Sequence, residues 1–266
     1  MTGNAASAVF DAVASTYDDT FTNDPLGRWL RDAVQERLAR EFERDSRVLE
    51  VGCGTGEDAV WLARRGVRVT ATDASAAMLA AAGEKVSDAG VADLVSLEEL
   101  DAAAPAGLSG LGPFDGAFSN FGALNCLPDR RPLAEALAGA IVPGGPLVLV
   151  VMGPVCAWEI AWQLGRGRPR AAFRRLRRGA RAHVGAGTTT RVWYPSPRRL
   201  RTELEPWFGH RETSALGLLL PPSYLSGLVT RAPGVFDRLR RVERRVAGRF
   251  PAPWLADHYV SVFERR

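Results

Sequence analysis

Lysine is almost absent from this chain. Lys85 is the one lysine in 266 residues, so the positive side of a net charge of +4 is almost wholly arginine. A GC-rich coding sequence produces the same bias, which therefore carries no functional information by itself. Cysteine is scarce as well. Cys53, Cys126 and Cys156 stand apart, with no C-x-x-C pair and no neighbouring histidine; this argues against a disulfide framework and a zinc site, and no metal is expected. A reducing compartment, the cytoplasm, fits such cysteine usage. Long apolar runs are missing too. The most apolar stretches, 147–152 and 216–220, are far too short to span a bilayer, and 1–10 holds neither a basic residue nor the apolar stretch of a leader. Acidic residues are absent from 161 to 202, while eight arginines fall within 166–181. That segment creates a local positive field that could attract an anion.

What is present is the composition of a soluble globular protein, with 46% apolar and 24% charged residues. Its pattern alternates. Helices are expected over 7–16 and 25–42, the second with Asp24 as N-cap and Pro25 at its first position. A short β-rich run, 47–51, leads into a glycine turn, a helix over 57–65 stopping at Gly66, a strand over 67–72 ending in Asp73, and an alanine-rich helix capped by Ser75. That is a βαβ unit. Further strands are expected over 94–98, 114–118 and 147–152, with a helix over 130–141 capped by Asp129 before the last of them. A helix follows Ser196-Pro197, with strands over 212–219 and 259–264. Strands alternating with helices predict a parallel sheet with its ligand at the carboxyl ends of the strands.

The loop Glu50-Val51-Gly52-Cys53-Gly54-Thr55-Gly56 lets backbone N–H groups approach a ligand closely. A dinucleotide site has the spacing G-x-G-x-x-G. Counted from Gly52, its third small residue is replaced by Glu57, an anion where pyrophosphate would have to lie. The acid-x-G-x-G-x-G form instead resembles motif I of the class I S-adenosylmethionine-dependent methyltransferases. Asp73-Ala74-Ser75-Ala76-Ala77-Met78-Leu79 is similar to that family's D-x-S-x-x-M-L signature, and Phe114-Asp115-Gly116-Ala117-Phe118-Ser119-Asn120 to its motif IV. Pro143-Gly144-Gly145 and the upstream Ala14-Ser15-Thr16-Tyr17-Asp18 also match. The similarity is clear over 10–152 and follows only in outline beyond.

The resemblance implies a Rossmann-like, seven-stranded, mostly parallel α/β sheet with helices on both faces, N-terminal helices and a helical lid. It implies S-adenosylmethionine as cofactor. Tyr17, Gly52, Cys53, Gly54, Gly56, Ser119 and Asn120 would surround that cofactor, and Glu50 would face its cationic amino-acid end. Asp73 would accept the ribose hydroxyls, Ala74 and Met78 would line the adenine, and Asp101-Ala102 would read its amino group in preference to Glu98 or Glu99. The whole chain, 1–266, is expected to be one domain: a helical cap (1–45), a cofactor-binding core (46–152) and two lid insertions (153–192 and 217–256).

Methyl transfer from a sulfonium disperses charge, so orientation and desolvation can carry it without a dedicated base. Among His183, His210 and His258, the last, next to Asp257, is the best candidate for moving a proton. Asn125 could orient an acceptor, and Trp158, Trp162 and Tyr224 could wall an apolar pocket. The expected acceptor is a small molecule, an apolar or secondary-metabolite type included, with the O, N or C atom open. Methylation of RNA or DNA is a second reading; no D/N-P-P-Y/F motif follows the fourth strand, which speaks against nucleic acid. A third is a non-catalytic protein on a membrane surface. It rests on two expected basic amphipathic helices, 171–184 with the stripe Phe173, Leu176, Ala180, and 233–249 with the stripe Phe236, Leu239, Val242, Val246, Phe250.

The reading predicts that S-adenosylmethionine or its demethylated product binds with a dissociation constant on the order of micromolar or below, and NAD does not. Titration calorimetry with both ligands checks it, and tighter binding of NAD would overturn the family assignment.

Overall fold

Central strands that are buried along nearly their whole length place apolar side chains on both faces of one sheet, and this decides where every helix lies. The computed structural model describes residues 3–185 and 187–266; Met1, Thr2 and Ala186, the last within the insertion expected over 153–192, lie outside the described residues. The strands are β1 (Arg47–Val51), β2 (Arg68–Asp73), β3 (Val95–Glu99), β4 (Gly116–Ser119) and β5 (Pro146–Met152). A separate hairpin follows, β6 (Ala180–Gly185) and β7 (Thr188–Val192), then β8 (Phe208–Leu216) and β9 (His258–Arg265). The main sheet has seven strands in the order β3-β2-β1-β4-β5-β9-β8. Strands β1 to β5 pair in parallel, while β9 runs antiparallel to both β5 and β8. This is the Rossmann-like architecture expected, with each strand boundary within a residue or two except β8, which starts at Phe208 instead of 212.

Side chains alternate across a strand with period two. Val48, Phe118, Val148, Val150, Val260 and Val262 therefore share one apolar layer with α3 (Pro25–Glu41) and α4 (Glu57–Ala63), following α1 (Gly3–Asp11) and α2 (Ala14–Tyr17) in the chain. Val86 of α5 (Ala76–Asp88) joins that layer. Leu49, Val51, Ala117, Leu149, Val151, Tyr259 and Phe263 form the opposite layer with α6 (Arg131–Ala140). Two caps form as read: the Asp24 side chain accepts from Leu26 and Gly27 N–H, and that of Ser75 from Met78 N–H. The third does not, because α6 starts one residue later than expected, with Arg130 at its N-cap and no side-chain cap; Asp129, one residue further out, accepts from Arg131 N–H. The strand order reverses between β1 and β4, so the crevice at their carboxyl ends is the natural ligand site.

The insertion over 153–192 departs from its reading. It begins with α7 (Ala157–Gly165) and the one-turn α8 (Pro169–Ala172), but 171–184 is no helix. Gly179, at φ 63°, turns the chain into β6 instead. Strand β6 pairs with β7, whose Thr188-Thr189-Thr190 run is β-branched. Nor is Arg175 on a solvated face. It is buried, its Nε lies 2.7 Å from Glu159 Oε2, its Nη2 meets Asp257 Oδ1, and its guanidinium stacks 5.2 Å from the Tyr194 ring centre.

The second insertion, after α9 (Pro197–Leu204) and β8, comprises α10 (Ser226–Arg231), α11 (Pro233–Val246) and α12 (Ala252–Leu255). It packs against α3: Arg240 stacks on Trp29 and Arg244 reaches Glu36 at 2.7 Å. Its apolar stripe is shorter than read. Phe236 is buried and Leu239 packs on the core, while Val242 is 45% and Phe250 82% exposed. Glu243 is buried in their stead, accepting from Gly217 and Leu219 N–H at 2.7 Å each.

Burial alone would raise the Asp257 carboxyl, but Arg175 and then His258 hold it well below the usual carboxylate range. Its contribution to stability is therefore full above pH of about 4 and fades as pH falls below that. Asp257→Ala is expected to lower the unfolding free energy by about 3–5 kcal/mol at neutral pH, because a buried guanidinium loses a partner. The deficit should shrink in acid. Urea denaturation at pH 7 and below pH 3 checks both, and a neutral-pH loss under about 1 kcal/mol would show that the pair contributes little.

Candidate active site

The turn after β1 is built from backbone constraints. Gly52 sits at φ 75°, and its N–H and that of Cys53 both donate to Thr72 O, at 2.8 and 2.9 Å, fastening the loop to β2. A Cβ on Gly52 would lie 2.4 Å from Ala123 Cβ, so the loop can approach the segment after β4 only as glycine. Asp73, at the end of β2, closes the loop from the other side: its Oδ2 accepts from Gly54 N–H at 2.9 Å and its Oδ1 from Ser75 N–H at 2.9 Å. Each carboxylate oxygen keeps a further lone pair for a ligand. Burial raises the Asp73 carboxyl, and those backbone bonds oppose the rise.

A cavity of about 750 Å3 opens above this loop, within the size range of small-molecule sites. Tyr17, Glu50, Gly52, Cys53, Gly54, Asp73, Ala74, Met78, Asp101, Ala102 and Asn120 all line it. Glu98 and Glu99 are exposed and do not. Gly56 and Ser119 are off the lining. Gly56 starts α4 at φ 76° against Ala82, and Ser119 is buried, its hydroxyl donating to Val51 O at 2.7 Å to tie β4 to β1.

The two proposed catalytic side chains are also elsewhere. Asn125 is fully buried and spends its carboxamide on backbone: Oδ1 accepts from Met152 N–H at 3.0 Å, and Nδ2 donates to Met152 O and Trp193 O at 3.1 and 2.7 Å. It clasps the end of β5 to the residue after β7. His258 is buried, with Nδ1 3.0 Å from Asp257 Oδ2 and its ring edge-on to Phe121. Among the described residues none of the three histidines lines the cavity. Trp158, Trp162 and Tyr224 do not line it either; Trp158 packs on Phe236, Trp162 stacks under Arg166, and Tyr224 is half exposed.

Sequence reasoning missed the polar knot at the cavity floor. Asp58, buried in the first turn of α4, accepts from Arg31 Nη1 at 2.6 Å, Gln35 Nε2 at 3.0 Å and Asn120 Nδ2 at 2.9 Å. The Arg31 guanidinium lies 5.1 Å from the Phe121 ring centre, and Phe121 itself holds a left-handed φ of 45°. Arg31, Asp58 and Phe121 all line the cavity. The Glu50 carboxyl is pushed well above its ordinary range by burial first and by Asp58 second, and its Oε2 is buried without a hydrogen-bond partner. Asn120 Oδ1 is likewise unpartnered. These two acceptors call for donors that a ligand would bring. In sequence, Arg31 and Gln35 show only a helical i, i+4 spacing, which every surface helix shares.

The cover comes from the N-terminal segment and from the β6–β7 hairpin. Lys85 Nζ joins Asp18 Oδ2 at 2.8 Å and Glu57 Oε2 at 2.9 Å, and Thr55 Oγ1 donates to Asp18 Oδ1 at 2.6 Å, so the segment after α2 is pinned to the glycine loop. Asp11 Oδ1 accepts from Ser75 Oγ at 2.6 Å. Val184 and Thr189 to Trp193 of the β6–β7 hairpin complete the roof. Among the described residues none from 217–256 lines the cavity, so the second insertion is a buttress for α3 in place of the lid expected.

A model of a methyltransferase domain matches residues 48–145. Methyltransferase GfsG of Streptomyces halstedii is 31% identical over 140 residues, covering 50% of this chain and 48% of that protein. The chain spans about half or less of the length of the first curated relatives it matches. Among solved structures, the DhpI-SAM-HEP complex is 27% identical with a TM-score of 0.55, covering 80% of this chain and 94% of that one. The [4+2]-cyclase SpnF shares the fold over 100% of this chain and 96% of its own, at TM-score 0.64 and 18% identity.

Two glycines of the loop should respond differently to a methyl group. Gly52→Ala is expected to cost about 2–5 kcal/mol, adding a left-handed penalty of about 1–2 to an overpacking penalty of about 1–3. Gly54→Ala, at φ 54° with the nearest neighbouring atom 4.0 Å away on Tyr17, should cost only the about 1–2 kcal/mol of the left-handed conformation. Equilibrium urea unfolding of both variants checks the order, and a larger loss at Gly54 would contradict it.

Proposed function

We propose that this chain, which belongs to the class I S-adenosylmethionine-dependent methyltransferases, transfers the methyl group of S-adenosylmethionine to a small-molecule acceptor through an oxygen, nitrogen or carbon atom. The observation that carries the reading is the buried, unpartnered Glu50 oxygen on the wall of a cavity whose floor also holds a buried guanidinium, Arg31. An amino-acid end with one ammonium and one carboxylate matches that pair in charge. Glu50 would take the ammonium and Arg31 the carboxylate. Asp73 would accept from the ribose hydroxyls with its remaining lone pairs, Ala74 and Met78 would wall the adenine, and Asp101 would accept from its amino group.

When bound, S-adenosylmethionine supplies a sulfonium methyl that a nucleophile displaces in line. The chain's own part is orientation and exclusion of water. Tyr17 and the β6–β7 hairpin roof the cavity, and Lys85 pins the segment after α2 to the glycine loop. Phe121, Met152, Val192 and Trp193 give the wall an apolar stretch, which suits an apolar acceptor of natural-product type. Because the fold is shared with the [4+2]-cyclase SpnF, the fold does not by itself identify the chemistry. Residues 1–266 act in this reading as one domain, with 1–45 as cap and 46–152 as cofactor-binding core. The three free cysteines support a cytoplasmic setting.

Asp73→Ala is expected to weaken S-adenosylhomocysteine binding by about 2–4 kcal/mol, from two charge-assisted hydrogen bonds partly replaced by water. Normal affinity in a folded variant would remove Asp73 from the ribose. Glu50, raised by burial, should release a proton when a cationic ammonium binds, so affinity should rise with pH and calorimetry in buffers of different ionisation enthalpy should register that release. Glu50→Gln should abolish Glu50's share of the release. Transfer of labelled methyl from S-adenosylmethionine into a cell-extract metabolite, read by mass spectrometry, tests the activity itself.

A further inference from the structure

A second concavity, of about 620 Å3, opens beside the cofactor cavity and is lined by Arg131, Arg178, Arg198 and Arg199 with Trp193 and Thr202. Trp193 and Pro128 line both spaces, so one indole is the partition between them. The four arginines come from three segments that are distant in sequence: the start of α6, the turn before β6 and the first turn of α9. Their charge is poorly cancelled. Glu203, the carboxylate on this lining, is held from behind by the buried Arg130 through two bonds of 2.5 and 3.1 Å, and from the side by Arg199 at 2.7 Å. Asp129 approaches Arg131 only to 3.6 Å, with both side chains about half exposed. Among the described residues no carboxylate stands within ion-pair distance of Arg178 or Arg198. Like charges gathered in a concave wall raise a local potential that an anion relieves.

We propose that this arginine groove binds a phosphate or pyrophosphate group of the acceptor, while the acceptor's remaining part passes Trp193 into the cofactor cavity. The proposal rests on the methyl-transfer reading and names the acceptor's chemical class. Planar guanidinium forks match phosphate oxygens in geometry and charge, and the Thr202 hydroxyl adds a neutral donor. The groove and the cavity sharing a wall is what makes the charge relevant to the reaction; an arginine patch elsewhere on the surface would only solvate.

The test is titration of the full chain with inorganic pyrophosphate at low ionic strength, for the native protein, R178E/R198E, and R238E/R245E, which makes the same charge change on the exposed side of α11. The native protein should bind pyrophosphate, R178E/R198E should bind it about tenfold more weakly or less, and R238E/R245E should match the native affinity. S-adenosylhomocysteine should bind all three alike. Absence of pyrophosphate binding to the native protein, or an equal loss in both variants, overturns the groove. Failure of S-adenosylhomocysteine to bind any of them overturns the methyl-transfer reading instead, independently of the pyrophosphate result. Flotation with phosphatidylglycerol vesicles separates the sources of phosphate: vesicle binding lost in R178E/R198E assigns the group to a lipid headgroup and overturns a soluble acceptor, whereas pyrophosphate binding without flotation supports one.

Discussion

The approach of Gly52 to Ala123 fixes the spacing on which the rest of the site depends. It sets how closely the end of β1 can lie to the segment after β4, and that gap is the crevice at the point where the strand order reverses. Everything functional is then hung on its two rims. On one rim Asp73 holds Gly54 and the start of α5. On the other, Asn120 reaches the Asp58 knot, and Asn125 ties β5 to the roof hairpin.

Charge is zoned along the same axis. Glu50, Asp58 and Asp73 make the floor acidic, with Arg31 as its internal counterweight, while the arginines gather at the far side of Trp193. Burial raises Glu50 and Asp73, and each would ionise more readily once a ligand supplied a cation or hydroxyl donors. An acidic floor and an arginine-lined rim are the two ends that the proposed pair of ligands would occupy, a cationic cofactor inside and an anionic acceptor tail outside.

Much of this was legible in the sequence because it is local. The turn glycines, the acid ending β2 and the Asp24 and Ser75 caps each follow from a few adjacent residues. The larger misreadings were long-range. Phe173, Leu176 and Ala180 fall on a helical stripe, yet Ala180 to Val184 also alternates with period two, and only pairing with β7 decides between them. Arg175 sits in a run of arginines that looks solvated; its burial depends on Glu159 and Asp257, the latter 82 positions away. Asn125 and His258 are chemically apt, but backbone partners and the Phe121 ring claim them. The Arg31–Asp58 pair spans 27 positions and leaves no motif.

The single lysine has a practical corollary. Lys85 is the one side-chain amine in the chain, and it is also the strut between Asp18, Glu57 and Thr55 that holds the N-terminal segment on the glycine loop. An amine-selective reagent therefore has one side-chain target, three-quarters covered. Acylation there would remove the positive charge that joins Asp18 to Glu57, so a single modification should weaken the hold of the N-terminal segment on the loop.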